Sequence, residues 1–370
     1  MSISLTSPPR RILIRGVNWL GDAVMTTPAL LRLREMFPAS HITMLCPEKL
    51  KDLWRHHPAI DEIISFATNE SISSIAKKLR FRKFDFALAL PNSPRSALEV
   101  FAARIPQRIG YTRPWRNFFL TQIVASRTDA VKMHKRSESE IRRVISRNLE
   151  PCAQMPSSAH QIHEYLHLVA ALGAKSEPLS PHLSVTADEI QTAKKKFGLE
   201  NITQPVFGLN PGAEYGPAKR WPAENFIAAA KEIQRRTNCI WILFGGKNDA
   251  PTAARIEFAI QNPHSAIFNL AGKTSLRELM VLMKLCRVVL TNDTGPMHVA
   301  AALGTPVVVP FGSTSPELTG PGLPGDPRHR LLKSRTPCSP CFLRVCPIDF
   351  RCMIRITVEQ VVEAVMSAGS

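Results

Sequence analysis

Short apolar runs alternate with amphipathic stretches along most of this chain of 370 residues. In the first part of the chain, 72–79 repeats its apolar positions at helical spacing, and three runs have the length of strands: 12–14, 41–45 and 84–90. A glycine-containing loop at 16–22 follows the first of these runs and leads into a helical pattern that extends to Met36. A strand, a loop and a helix in this order form the repeating unit of α/β folds.

The alternation starts afresh after a proline-containing segment at 175–183, which we interpret as a linker. Capping boxes mark helix starts at Thr186 and Ser275, each followed three residues later by Glu. Apolar runs and helical spacing predict further strands at 206–209, 240–244, 267–270, 288–290 and 306–309, and further helices at 163–174, 224–236, 253–260 and 296–303. We therefore expect two doubly wound parallel sheets that face each other across a cleft, with the domain boundary between residues 178 and 179. The segment 104–147 is only weakly periodic and predicts loops and short helices.

Composition and charge narrow the class of protein. With 44% apolar and 21% charged residues the chain is typical of a globular protein, and no apolar run is long enough to span a membrane. The formal net charge is +17, and residues 1–150 carry 25 basic and 13 acidic side chains. Such an excess suits nucleic acid, an anionic membrane or a phosphorylated substrate. Nucleic acid is disfavoured, because the sequence has neither an RNA-binding aromatic signature nor a zinc finger of recognisable spacing.

Two loops of the second half carry candidate chemistry. In the first, Pro296 suits the first position of a helix and leaves the amides of Thr294 and Gly295 at its positive end, where a diphosphate binds well. The alternative is an ordinary helix cap formed by Asp293 or Thr294. The second loop, 210–222, contains Lys219 and Arg220, which could neutralise a leaving diphosphate, unless it is a plain surface loop. At the end of another strand, the segment 244–249 ends in Asp249, and a polar group there could meet a ribose.

Asp22 lies at the start of the first predicted helix and has two interpretations. A carboxylate there can act as a general base on a hydroxyl, and it can equally cap the helix. The chain contains no Asp-x-Asp sequence, the usual means by which a transferase holds a metal on a sugar diphosphate. We expect catalysis to need no cofactor, with the positive charge supplied by lysine, arginine and helix amides.

Four cysteines are packed into fifteen residues that contain two prolines and directly follow a third: Cys338, Cys341, Cys346 and Cys352. Four thiolates could close a structural zinc site or hold an iron–sulfur cluster, whereas the alternative is reduced or partly paired thiols without metal. No apolar run of signal-peptide length precedes Arg15, so we expect a cytoplasmic location and reduced thiols.

Together these motifs resemble the ADP-heptose:lipopolysaccharide heptosyltransferases, glycosyltransferase family nine, and most of all their heptosyltransferase II branch. The resemblance rests on three stretches whose order and spacing hold over nearly the whole chain: 21–30, 211–222 and 291–303. The cysteine-rich segment 337–353 also looks like that branch. The resemblance implies a GT-B architecture, with an acceptor domain at 1–178, an ADP-heptose domain at 179–354 and a C-terminal helix within 355–370 that packs back toward the first domain.

The same resemblance implies an inverting, metal-independent transfer of L-glycero-D-manno-heptose to heptosyl-Kdo-lipid A. Asp22 would deprotonate or orient the acceptor hydroxyl, and Lys219 with the amides of Thr294 and Gly295 would stabilise the departing ADP. The other implied donor contacts are Glu214, Tyr215, Arg220, Asp249, Asp293 and His298. Alternatives are a heptosyltransferase I or another relative with a different acceptor, and a GT-B sugar-nucleotide epimerase. The basic N-terminal part predicts peripheral attachment to an anionic membrane, at the cytoplasmic face of the inner membrane.

Overall fold

The structure is a computed structural model that describes residues 8–147, 155–261 and 266–369. The chain divides into two compact units, each with its own hydrophobic core. Unit 1 comprises Met1–Ala130 and Gln161–Ser184, and unit 2 comprises Val131–His160 and Val185–Ser370.

Unit 1 contains, among its described residues, a parallel sheet of six strands in the order β3-β2-β1-β4-β5-β6. Its strands are β1 (Arg11–Arg15), β2 (His41–Pro47), β3 (Glu62–Phe66), β4 (Phe86–Ala89), β5 (Gln107–Tyr111) and β6 (Gln122–Val124). Its α-helices are α1 (Leu20–Met25), α2 (Thr27–Met36), α3 (Ile72–Arg80), α4 (Pro94–Ala102) and α6 (Ile162–Ala170).

Unit 2 contains, within the part of it that is described, a second parallel sheet in the order β12-β11-β10-β7-β8-β9. Its strands are β7 (Val206–Asn210), β8 (Ile240–Leu243), β9 (Ile267–Asn269), β10 (Val288–Thr291), β11 (Val307–Phe311) and β12 (Arg330–Lys333). Its α-helices are α5 (Glu138–Ser146), α7 (Ala187–Phe197), α8 (Ala223–Thr237), α9 (Ala250–Ile260), α10 (Leu276–Leu285), α11 (Gly295–Ala302), α12 (Pro316–Thr319), α13 (Arg351–Ile354) and α14 (Val358–Ala368).

Both sheets confirm the predicted α/β class with doubly wound order. In each sheet the strand order reverses at the point where the first and fourth strands of the unit lie side by side, β1 beside β4 and β7 beside β10. Ligands of such folds bind outside the carboxyl ends of the strands at this point of reversal. The capping boxes at Thr186 and Ser275 are formed as predicted.

The helical pattern predicted to extend to Met36 is two helices, α1 and α2, which meet at Thr26. Pro28 has no N–H to continue the hydrogen-bond pattern. The hydroxyl of Thr27 instead donates to the carbonyl of Val24, at 2.8 Å. Asp22 therefore lies on a short helix, α1, that is separate from α2.

The division into units differs from the predicted boundary. The segment Val131–His160 belongs to unit 2, where the N–H of Arg136 donates to the carbonyl of Cys341 at 3.1 Å and Ile141 packs on the cysteine-rich segment. The predicted linker belongs to unit 1, because the N–H of His182 donates to Thr27 Oγ1 and Ser184 Oγ donates to the carbonyl of His56. These contacts join residues far apart in sequence, which local patterns do not reveal.

The C-terminal helix α14 packs in unit 2. Its residues Val361, Val362 and Val365 are buried in the core that also contains Phe226 and Trp221. The helix lies on α8, β11 and β12. Its apolar face is buried in the core of unit 2, and the expectation that this helix lies toward the first domain stays a prediction.

Two strands lie in the segment for which the sequence predicted loops and short helices. The sequence of β5 is Gln-Arg-Ile-Gly-Tyr, which begins with two polar residues and contains a glycine, so it lacks an apolar run. The edge strand β6 has only three residues. In the described ranges of the chain, no helix is both long enough and apolar enough to cross a membrane.

Candidate active site

The loops that follow β7 and β10 lie at the point of strand reversal in unit 2, and Asn292 joins them. Its side-chain amide donates to the carbonyl of Pro211 at 2.7 Å, and its side-chain oxygen accepts from the N–H of Trp221 at 2.9 Å. Asn292 is fully buried. The two ends of the loop that carries Lys219 are therefore fixed to the start of the loop that carries Asp293.

Lys219 and Asp293 form an ion pair across these two loops. Lys219 Nζ lies 2.6 Å from Asp293 Oδ2, and the side chains are 13% and 4% exposed. Thr314 follows β11, and its hydroxyl donates to the same carboxylate oxygen at 2.5 Å. Lys219 also lies 5.0 Å from the centre of the Tyr215 ring, a cation–π contact. The structure thus brings together three of the predicted site residues and adds Thr314, which the sequence analysis missed.

Helix α11 begins at Gly295, two residues after Asp293. Thr294 is the N-cap residue and is extended, but its side chain makes no hydrogen bond to the helix, and Pro296 occupies the first turn. Thr294 therefore does not form an ordinary side-chain cap at the N-terminus of α11. The positive N-terminus of this helix follows the loop after β10, and Lys219 lies in the loop after the neighbouring strand β7. This arrangement suits an anion.

His298, in the second turn of α11, is almost fully buried. The pKa of His298 is lowered to about 4, mainly by burial; Asp293 opposes the shift, and His160 and Lys219 make smaller contributions in the same direction as burial. The imidazole is therefore neutral near pH 7. The charges of Lys219 and Asp293 both act on this imidazole.

Arg220 and Asp249 lie on a neighbouring part of the same sheet edge. The Nη2 atom of Arg220 is 3.7 Å from Asp249 Oδ1, and Asp249 Oδ2 accepts from the N–H of Gly246 at 2.9 Å. A Cβ atom at Gly212 would lie 2.3 Å from Asp249 Oδ2, so this close approach requires glycine. The loop after β7 and the loop after β8 are therefore packed directly against each other.

The cysteine-rich segment supports the Lys219 loop from the other side. The Tyr215 hydroxyl donates to the carbonyl of Phe342 at 2.8 Å, and the N–H of Ala218 donates to the carbonyl of Arg344 at 2.9 Å. Glu214, beside Tyr215, is exposed. Of the two donor-binding residues predicted in this loop, Tyr215 is therefore fixed by a hydrogen bond and Glu214 faces solvent.

The four cysteines of that segment are free thiols that line one small cavity of about 10 Å³. Burial raises the pKa of Cys352 to about 12, with a further contribution from the other three: Cys338, Cys341 and Cys346. Across the residues whose positions are described, no group of three or more His, Cys, Asp or Glu side chains has the arrangement of a metal site. The four thiols share a cavity, and both the metal interpretation and the metal-free interpretation of this cluster stay predictions.

Asp22 lies in the first turn of α1, at the carboxyl end of β1 in unit 1. The N-cap residue is Trp19, so Asp22 is not the cap. Gln161, which precedes α6, directs its Nε2 atom to Asp22 Oδ1 at 3.4 Å and to the Tyr165 hydroxyl at 3.1 Å. Burial, followed by the charge of Asp22, raises the pKa of Tyr165 well above its usual range, so the phenol stays neutral. Gln161 carries no motif and could not be found from sequence.

A buried ion pair supports the loop that carries Asp22. Arg15, the last residue of β1, places Nε 2.7 Å from Glu99 Oε2, and both side chains are almost fully buried. The Nη1 atom of Arg15 donates to Asn18 Oδ1 at 2.9 Å and to the carbonyl of Gly16. The buried Arg15 side chain thus fixes the loop between β1 and α1 through hydrogen bonds to Gly16 and Asn18.

Comparisons with known proteins agree with this arrangement. Residues 132–350 match glycosyltransferase family 9 (heptosyltransferase). The chain is 31% identical over 323 residues to lipooligosaccharide heptosyltransferase 2 of Haemophilus ducreyi, covering 84% of this chain and 86% of that protein. It is also 31% identical to lipopolysaccharide heptosyltransferase 2 of Salmonella typhimurium, covering 84% and 85% of the two chains. The solved structure of ADP-heptose lps heptosyltransferase II from E. coli superposes with a TM-score of 0.76 at 28% identity, covering 97% and 98% of the chains.

Two doubly wound parallel sheets, one with a carboxylate and one with a cation beside a helix N-terminus, place this protein among the glycosyltransferases of the GT-B class. The match over residues 132–350 and the identity to the curated relatives define it further. The chain belongs to glycosyltransferase family 9, the heptosyltransferases.

Proposed function

We propose that this enzyme transfers L-glycero-D-manno-heptose from ADP-heptose to the heptosyl-Kdo-lipid A inner core of lipopolysaccharide, with inversion at the anomeric carbon. In this proposal unit 1 binds the acceptor and unit 2 binds the donor. The observation that carries the proposal is the Lys219–Asp293 ion pair beside the N-terminus of α11. It offers positive charge for a diphosphate and a carboxylate for a sugar at one sheet edge.

The proposed reaction is a single displacement. The acceptor hydroxyl oxygen forms a bond to the anomeric carbon while the bond between that carbon and the ADP phosphate oxygen breaks. The hydroxyl proton passes to Asp22, and the electron pair of the broken bond leaves with ADP. Lys219 and the amides of Thr294 and Gly295 stabilise the charge that grows on the leaving phosphate, which is the largest single contribution in many enzymes.

Asp293 has a separate part in the proposal. Lys219 and Thr314 both bind its Oδ2 atom, which leaves Oδ1 to accept hydrogen bonds from heptose hydroxyls. We place Asp249 with Arg220 near the ribose, Glu214 and Tyr215 along the donor loop, and neutral His298 close to the diphosphate. A neutral imidazole beside Lys219 avoids repulsion between two cations.

We propose that catalysis requires no metal, because Lys219 and the helix amides supply the positive charge. Activity that survives dialysis against EDTA is the expected result, and activity restored only by added Mg²⁺ or Mn²⁺ would contradict it. For the cysteine segment the distinction between a structural zinc and metal-free thiols is settled by elemental analysis of the purified chain.

A lipid-linked acceptor places the reaction at a membrane, and we propose peripheral attachment at the cytoplasmic face of the inner membrane. The surplus of basic residues before position 151 supports this, because each Lys or Arg near an anionic surface contributes about 1 kcal/mol.

The test supplies ADP-heptose with either Kdo-lipid A or heptosyl-Kdo-lipid A and measures products by mass spectrometry. We expect addition of one heptose to the heptosylated acceptor only. Reaction of the unheptosylated acceptor alone would assign heptosyltransferase I activity. Release of free nucleotide in the absence of any acceptor would indicate an enzyme of the epimerase type.

A further inference from the structure

Aromatic and basic side chains form one exposed surface on unit 1, which we call the aromatic-basic surface. It comprises Arg80 and Phe81 at the end of α3, Phe101 near the end of α4, Arg104 and Arg108 around the start of β5, and Phe118 and Phe119 before β6. Phe81 and Phe118 are 82% and 83% exposed, and Phe101 is 40% exposed. Large aromatic side chains are seldom this exposed without a partner.

Contacts connect Phe101, Arg108, Phe118 and Phe119 to one another, and Phe81 adjoins them through its chain neighbour Arg80. Arg80 donates to the carbonyl of Ala102, and the Arg108 guanidinium lies 5.3 Å from the centre of the Phe101 ring. Arg108 also donates to the carbonyl of Phe119 at 2.8 Å. The Phe119 ring lies 5.5 Å from that of Phe101 and 5.6 Å from that of Phe118. Arg80, Phe101, Arg104 and Arg108 also line one open depression.

The charges on this surface lack acidic counterparts. Within the described ranges, none of Arg80, Arg104 and Arg108 forms an ion pair with a carboxylate, and the hydrogen bonds of Arg80 and Arg108 go to carbonyl oxygens. Arg108 is instead held by carbonyl oxygens, and Arg104 is exposed. Uncompensated guanidinium groups beside exposed aromatic rings suit a partner that offers both anionic groups and an apolar layer.

We propose that the aromatic-basic surface is the site through which unit 1 docks on an anionic lipid bilayer. Aromatic side chains favour the interface between headgroups and acyl chains, and arginines favour anionic headgroups. A symmetric contact with a second copy of this chain is disfavoured, because it would bring two sets of unpaired arginines together. The inference deepens the proposed function and rests on its lipid-linked acceptor, since it names the surface that meets the acceptor's membrane.

The position of the surface in the fold agrees with this role. Arg104 and the depression precede β5 and lie at the amino edge of the sheet, whereas Asp22 follows the carboxyl end of β1. Docking through this surface therefore leaves the sheet edge that carries Asp22 uncovered.

The test is cosedimentation of the full chain with vesicles of phosphatidylethanolamine and phosphatidylglycerol, compared with vesicles of phosphatidylcholine. We expect binding to the anionic vesicles that weakens by about tenfold when NaCl is raised from about 50 to about 500 mM. Phe118→Ser and Arg104→Gln should each weaken binding by about fivefold or more. The matched controls in unit 2, Phe258→Ser and Lys195→Gln, should bind as the unmodified chain does; Phe258 is 82% exposed.

Several results would overturn the proposal. These are absence of binding to anionic vesicles, equal binding to phosphatidylcholine, or equal losses in the variants and their controls. A change of oligomeric state in Phe118→Ser by light scattering, with vesicle binding unaltered, would assign the surface to self-association instead. Transfer to a water-soluble acceptor without acyl chains separates the two proposals. Variants that lose vesicle binding but keep this transfer support the surface, whereas vesicle binding without any heptose transfer overturns only the function.

Discussion

Lys219 Nζ lies 2.6 Å from Asp293 Oδ2, and the two residues lie in the loops that follow adjacent strands, β7 and β10. The pair places an ammonium group and a carboxylate beside the N-terminus of an eight-residue helix, α11. A carboxylate alone at this position would repel a diphosphate. Lys219 compensates this charge, and in the proposed function Asp293 binds the sugar while the lysine and the helix amides bind the phosphates.

Replacement of Lys219 tests this division of roles. We expect Lys219→Met to lower kcat by about 100- to 1000-fold, because it removes a charge aimed at the leaving group. The double variant Lys219→Met with Asp293→Asn removes the unpaired carboxylate as well. If the double variant regains normal turnover in steady-state kinetics, Lys219 only neutralises Asp293. Lys231→Met, an exposed lysine on α8, is the matched control and should be unaffected.

Asp22→Asn should lower kcat by about 100- to 10,000-fold, since an amide cannot accept the acceptor proton. The affinity for ADP, measured by calorimetry, should remain unchanged because the proposed ADP contacts belong to unit 2. Asp52→Asn removes a partly exposed carboxylate of the same unit that pairs with Arg55, and we expect it to leave turnover unaltered. Normal turnover in Asp22→Asn would remove Asp22 from the mechanism.

Asn292→Ala should weaken both the fold and donor binding. The substitution leaves the N–H of Trp221 and the carbonyl of Pro211 without their partner, and a buried unsatisfied group costs about 1–3 kcal/mol. We expect a lower free energy of unfolding in urea and a raised KM for ADP-heptose. Asn201→Ala, at an exposed position, provides the comparison. An unchanged donor KM would show that the Lys219 loop does not depend on Asn292.

Buried histidines should make the protein less stable in acid. Burial lowers the pKa of both His298 and His329 to about 4, below the value of about 6.5 expected in the unfolded chain. Between these values the unfolded chain binds more protons, so the free energy of unfolding falls as the pH falls. Each histidine contributes up to about 1.4 kcal/mol per pH unit in this window.

Urea unfolding at a series of pH values between 7.5 and 4.5 measures this slope. His298→Gln should reduce the slope, whereas His134→Gln, at a side chain that is 71% exposed, should leave it unchanged. Slopes rather than absolute stabilities are compared, since a new side chain in the core also changes packing. Identical slopes in all three proteins would contradict the linkage to His298.

Local patterns in the sequence predicted a large part of the fold. Alternating apolar runs and helical spacings indicated the doubly wound class, and both capping boxes start helices where predicted. These features depend on residues close together in the chain, so their physical causes are visible in a short window. The same applies to the loops that carry Asp22, Lys219 and Asp293, because each directly follows a predicted strand.

Contacts over long sequence distances were decided only by the tertiary structure. Lys219 and Asp293 are 74 positions apart, and their pairing depends on β7 lying beside β10. Gln161 meets Asp22 over 139 positions. The placement of Val131–His160 in unit 2 depends on its contacts with the cysteine segment. The sequence by itself determined which chemical groups stand at the ends of which strands. Strand order and packing determined which of these groups meet, because local periodicity carries no information about neighbours distant in the chain.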